Sequence, residues 1–171
     1  METILVSLIC IALIVFGGMT MSQGFMTTVD TSTTGLEDVR ERGETLIRTE
    51  LTPVSSSLTA ANTLEVILEN TGQAKLADFD KWDFIIQYYD DMGTFHSTWL
   101  PYTSGTLGDN EWGVSEILLN GEAEIYEPNV LNQSESILLV AQLEPAVGDN
   151  TTNMVVIATP EGITASTYFT R

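Results

Sequence analysis

From Thr3 to Met26 the chain carries no charge, and its apolar residues keep to no single side: "ILVSLICIALIVFGGM" is hydrophobic around the full turn of a helix. A helix with no polar stripe has to be surrounded by something as apolar as itself. About 20 residues of this kind cross a bilayer, so the pattern predicts a membrane-competent helix. A removable secretory signal needs a basic start and a small-residue cleavage site. Here Glu2 precedes the run and "SQGFMTTVD" follows it. The segment therefore does not read as a signal peptide.

Beyond Asp30 the chain continues "LEDVRERGETLIRTELTP", in which Leu36, Val39, Leu46, Ile47 and Leu51 return at helical spacing between mixed charges. Thr34 and Glu37 stand at capping-box spacing, which allows a local break over 27–35. Pro53 closes the helical pattern, and "VSSSLTAAN" reads as a linker. One rod over residues 2–52 would be about 75 Å long at 1.5 Å per residue, more than twice the thickness of a bilayer core. A simple anchor has no use for that length.

From residue 62 the period drops to two. "TLEVILE", "WDFIIQYY", "FHSTWLPY", "WGVSEILL", "ESILLVAQLEP", "NMVVIATP" and "ITASTYFT" read as strands separated by turn residues. Strands without intervening helices predict an antiparallel sandwich. Trp82, Trp99 and Trp112, with Phe84, Tyr88 and Phe169, supply aromatic bulk for its core. The predicted class is α+β: a long N-terminal apolar α-helix followed by an all-β antiparallel, Ig-like sandwich. The predicted division is residues 1–53 for the helix and its polar extension, 54–61 for a linker and 62–171 for the sandwich.

Charge narrows the functions. The net charge is −18. Residues 54–171 hold 17 acids against Lys75, Lys81 and Arg171, which is −14, and the first 53 residues supply the other −4. Such a surface repels phosphate backbones, so nucleic acid is excluded as a partner. Cys10 is the single cysteine and lies in the apolar run, where a thiol packs as a small hydrophobe. Asn132 in "NQS" and Asn150 in "NTT" are candidate glycosylation sites. Asp78, Asp80 and Asp83 in "DFDKWD" are weak candidates for a hard cation, since the spacing lacks the glycine and the bidentate glutamate of an EF-hand loop. His96, the one histidine, has no carboxylate beside it in sequence and reads as an edge-strand residue. With no nucleophile motif, phosphate loop or Cys/His cluster, the chain reads as a non-enzyme with no cofactor and no small-molecule substrate.

The order of parts, apolar helix, polar helical extension, β-domain, resembles the type IV pilin superfamily and, more narrowly, the archaellins, the archaeal-type flagellins. "LEVILENTGQAKLADFDKWDFIIQYYD" resembles the first strands of the archaellin β-domain, and "WGVSEILLN", "EPNVLNQSESILLVAQLEP" and "NMVVIATPEGITASTYFTR" resemble its later ones. The resemblance implies a leader cut off just before the helix, with Met1 as the mature N-terminus. It implies a homo-oligomer: a helical extracellular filament used for swimming, membrane-inserted before assembly and handled by a leader peptidase and membrane assembly machinery. Ile4, Leu5, Leu8, Ile11, Leu13, Ile14, Val15, Phe16 and Phe25 would then pack against sister helices, with Gly17 and Gly18 allowing close approach. The alternatives in the same frame are an adhesive type IV pilus subunit, or a membrane-anchored stator or accessory protein with its β-sandwich outside the membrane.

Overall fold

A computed structural model describes residues 2–171; the side chains of residues 2, 27–39, 41–42 and 44–45 fall outside the description. The chain divides into two compact units, Met1–Gly43 and Glu44–Arg171. Helix α1 runs Glu2–Arg48 and continues through 27–35, where the sequence allowed a break. The Thr34 and Glu37 side chains of the expected capping box lie outside the described residues, as do those of Glu41, Arg42 and Glu44, expected to form ion pairs.

The end of α1 is set by a turn rather than by proline. An ending helix leaves carbonyls without partners, and the Arg48 carbonyl accepts from Gln73 N at 2.6 Å and Ala74 N at 3.0 Å. The Glu50 carbonyl accepts from Thr71 N and Gly72 N at 3.1 and 3.2 Å. Only glycine fits at 72, because a Cβ there would lie 2.5 Å from both Arg48 O and Glu50 N. Asn70 fixes the turn from below. Fully buried, it donates to Ala74 O at 2.8 Å and Leu131 O at 3.1 Å, and it accepts from Gly72 N at 3.1 Å. "NTGQA", with Asn70 and Gly72 buried, is thus a hydrogen-bonded seat for the helix terminus as well as a strand end.

Nine strands follow: β1 Leu51–Ala60, β2 Thr63–Asn70, β3 Asp83–Tyr89, β4 Phe95–Leu100, β5 Glu111–Leu119, β6 Glu122–Ala123, β7 Ser136–Gln142, β8 Thr152–Ala158 and β9 Thr164–Thr170. They form two antiparallel sheets, ordered β1-β2-β7-β5-β6 and β4-β3-β8-β9. The α+β sandwich predicted from patterning is the observed architecture. The stretch read as a linker is a correction: most of 54–61 belongs to β1, paired with β2 from Leu51↔Asn70 to Ala60↔Thr63. Pro53 is compatible with a strand because β1 is an edge and a register shift falls between Pro53 and Ser55. β1 also meets the other sheet, where the Ser56 hydroxyl donates to Tyr168 O at 2.8 Å.

Alternation places one face of every long strand inside. Leu64, Val66 and Leu68 of β2, Ile137 and Leu139 of β7, Phe84 and Ile86 of β3, and Val155 and Ile157 of β8 are fully buried. Phe84 stacks on Trp112 at 5.4 Å, joining the sheets across the interior. Each such side chain contributes about 1.5–3 kcal/mol on leaving water. Trp99 is a second correction. It lies on the outward face of β4, 53% exposed, while Trp82 and Trp112 are in the core.

Candidate functional site

Two surfaces of this chain are apolar where water would meet them. The first is α1 from Thr3 to Met26, 24 residues whose most apolar 18-residue stretch has a mean hydropathy of 2.6, with none of that stretch buried. Among the expected packing residues, Ile4, Leu8, Ile11, Leu13, Ile14, Val15, Phe16 and Phe25 are each at least 62% exposed, as is Leu5. Two hydroxyls inside the run are satisfied locally: Ser7 Oγ donates to Thr3 O at 2.9 Å, and Thr20 Oγ1 to Gly17 O at 2.9 Å. Bonds of this kind let a hydroxyl enter a hydrocarbon environment. Gly17 and Gly18 have open space where a Cβ would stand, leaving a flat strip of backbone. Cys10 is a free thiol on the same exposed run.

The second is the outward face of the β4-β3-β8-β9 sheet. Cross-strand pairing sets Trp99 beside Ile85 and Ile85 beside Val156, Met154 beside Tyr168, and Tyr89 beside Phe95. Tyr89 and Phe95 touch at 5.3 Å between ring centres. Tyr89, Phe95, Trp99, Tyr168 and the neighbouring Met92 are all exposed, Met92 almost fully. Asp83 is the one acid on this face of the four strands, and it accepts the Trp99 indole N–H at 2.8 Å. A stretch of sheet without unpaired charge is unusual on a chain of net charge −18.

The candidate chemical residues are engaged elsewhere. Asp78 sits at φ 53° before a short 3-10 turn and pairs with Lys81 at 2.7 Å, while Asp83 holds Trp99. These carboxylates do not converge, and among the described residues no group of three or more His, Cys, Asp or Glu gathers as a metal site. Asn132 spends its amide on Glu127 at 3.1 Å and Glu135 at 3.2 Å. Asn150 lies exposed on the β7–β8 connection in the left-handed region at φ 56°.

His96 does have an acidic partner, contrary to the sequence reading. The β3–β4 hairpin folds Asp90 back so that its Oδ2 lies 2.9 Å from His96 Nε2. The same carboxylate accepts Met92 N at 2.9 Å and Thr94 N at 2.8 Å. The His96 hydrogen bond, then the Thr94 amide, hold Asp90 below the usual carboxylate range. Burial, with Asp90 and Glu144 nearby, pushes the Tyr88 phenol up; its hydroxyl donates to Pro145 O at 2.9 Å, next to a cis Glu144–Pro145 bond. This cluster locks a hairpin. A gap of six residues with a "DMG" turn between was the signal that sequence reading passed over.

Neither a family model nor a curated protein matches the sequence. Solved structures do match the fold. The archaellum periplasmic stator protein FlaG from Sulfolobus acidocaldarius is 21% identical with a TM-score of 0.52, over 71% of this chain and 99% of that one. The FlaF–FlaG stator complex from the same organism gives 21%, 0.52, 71% and 89%. The archaeal flagellum of Methanospirillum hungatei strain JF1 is 11% identical with a TM-score of 0.59, over 96% of this chain and 90% of that one. These likenesses define a class by fold alone, a two-sheet antiparallel sandwich that the chain shares with solved archaellum proteins. Within that class the chain shares its fold with both a filament and a stator protein.

Proposed function

We propose that this chain is the structural subunit of an archaellum-like helical filament, held in the membrane by α1 until copies assemble. One observation carries the reading: the match to the archaeal flagellum extends over 96% of the chain. The remaining 4% of 171 residues is about seven, so that alignment takes in most of α1. The 29% left out of the FlaG match is about 50 residues, room enough to omit all 47 of α1.

The physics of the helix supports transfer from lipid to filament. Lipid tails are as apolar as leucine, so moving Thr3–Met26 from bilayer to a bundle of sister helices has little hydrophobic barrier. Return to water exposes apolar side chains at roughly 1.5–3 kcal/mol each, which keeps subunits from escaping. Helical growth needs heterologous contacts that propagate without closing. The acidic sandwich keeps crowded copies soluble, and swimming is the role such a filament serves.

The second reading is a stator-like component that stays in the bilayer. Its support is the higher identity, 21% against 11%. Mechanical shearing of cells separates the two. Filament subunits dominate the sheared material and appear as threads by negative-stain microscopy; a stator remains with the membranes. Absence of the chain from sheared threads rejects the filament proposal.

A further inference from the structure

We propose that, in the membrane-inserted chain, the free edge of β4 pairs with β4 of a second copy, antiparallel and centred on Ser97. β4 ends its sheet and, among the described residues, pairs with no strand but β3. In an antiparallel pair, residues alternate between facing the partner with their backbone groups and facing away. Asp90 N donates to Thr94 O at 3.0 Å, which fixes the phase. Thr94, His96, Thr98 and Leu100 therefore turn their N–H and C=O toward β3, and Phe95, Ser97 and Trp99 turn theirs outward.

These three outward residues complement their own reverse. About a two-fold axis through Ser97, Ser97 faces Ser97 of the second copy, and Phe95 faces Trp99 in both directions. Each is a hydrogen-bonded pair, so three pairs satisfy the edge amides and carbonyls of both chains at once. The side chains of Phe95 and Trp99, 52% and 53% exposed, stand on the same outward face and meet across the join. Aromatic cross-strand pairs are among the stronger stabilising pairs of a sheet.

Charge names the occupant. Two copies carrying −18 each repel over most of their surface. They can approach only where charge is missing or neutralised. β4 holds no acid or base beyond His96, which is bonded to Asp90, and the one acid on the adjoining face is bonded to Trp99. Nor does the strand carry the Lys, Pro or bulge that usually blunts an exposed edge. Four half-exposed aromatic side chains cover roughly 400 Å² between them, given 150–250 Å² for a whole one. With the strand edges, the total stays near or below about 1,000 Å², the size of a transient contact. The two-fold pairing thus suits copies concentrated in one membrane and parted again on assembly; it does not depend on the filament reading.

The experiment is disulfide trapping in full-length protein carried by lipid vesicles. Replacing Cys10 (C10A) and introducing Ser97→Cys sets the new thiols opposite each other, at the Cα spacing a disulfide accepts. Mild oxidation should give covalent dimer at least tenfold above a C10A, Thr164→Cys control on exposed β9. Adding Trp99→Glu should lower the yield tenfold. Hydrogen exchange of unmodified protein should show Phe95, Ser97 and Trp99 amides protected in crowded vesicles and freed on dilution with excess lipid. Dimer no greater than the control, or amides that exchange equally at both densities, overturns the pairing. Neither result bears on whether sheared threads contain the chain.

Discussion

Leu13→Arg separates the two environments open to α1. Leu13 lies in the middle of Thr3–Met26 and is 66% exposed. Eleven Leu, Ile, Val and Phe residues occupy that span. At about −0.3 to −0.6 kcal/mol each, they favour insertion by roughly 3–6 kcal/mol. A central arginine costs about 2.5–3.5 kcal/mol on the same scale, partly because it can snorkel to the headgroups. The variant therefore still inserts, with a margin reduced to roughly 0–3 kcal/mol. Among packed sister helices no headgroup is in reach, and every added copy would bury an unpaired cation. A cost of at least about 3 kcal/mol per subunit is more than a hundredfold in the assembly equilibrium. Quantitative immunoblots of membrane and sheared fractions should show the variant in membranes and missing from threads. Threads at the level of the unmodified protein would refute the packing proposed for α1.

Other outcomes follow from the sandwich. Phe84→Ala removes a fully buried ring stacked on Trp112 and should cost about 3–5 kcal/mol, read as a lower urea midpoint by tryptophan fluorescence of the full chain in micelles. Gly72→Ala drives a Cβ against the backbone of Arg48 and Glu50 and should destabilise by about 1–3 kcal/mol, whereas Gly17→Ala, with open space at its Cβ, leaves the same midpoint unchanged. Asp90 is held below its ordinary value of 3.8 by His96 and the Thr94 amide. Its folded form binds a proton less readily than the unfolded one, so its contribution is complete above the ordinary value and is lost as pH falls through the lowered one. The stability gap between unmodified protein and Asp90→Asn should close as pH falls through the lowered value; a gap that widens there contradicts the assignment.

Local pattern made most of this architecture legible. β2, β3 and β8 alternate so regularly that each could be placed within a residue or two, β7 was placed within three, and "ILVSLICIALIVFGGM" needed no partner to be read as a helix. What escaped were features decided by distant contacts. β1 is rich in serine and threonine with one proline, a linker by composition; it is a strand because β2 offers a full ladder of partners beside it. Trp99 looks like core bulk, yet the register Ile85↔Trp99 puts it on the outward face. The Asp90–His96 pair is created by a hairpin and Asn70 by its three bonds, neither of which has a period to detect. The surface around Phe95 and Trp99 was invisible in sequence for the same reason: only pairing reveals which strand is left at the edge.

The surroundings of α1 can be read chemically. A lipid-soluble carbene precursor, activated by light, inserts into whatever side chains the hydrocarbon touches. Applied to membranes and then to sheared threads, with labelled residues mapped by peptide mass spectrometry, it should mark Ile4 through Phe25 heavily in membranes and hardly at all in threads. Equal labelling of that run wherever the chain is found, or a chain found nowhere but in membranes, would mean that lipid and not sister helices is its permanent neighbour.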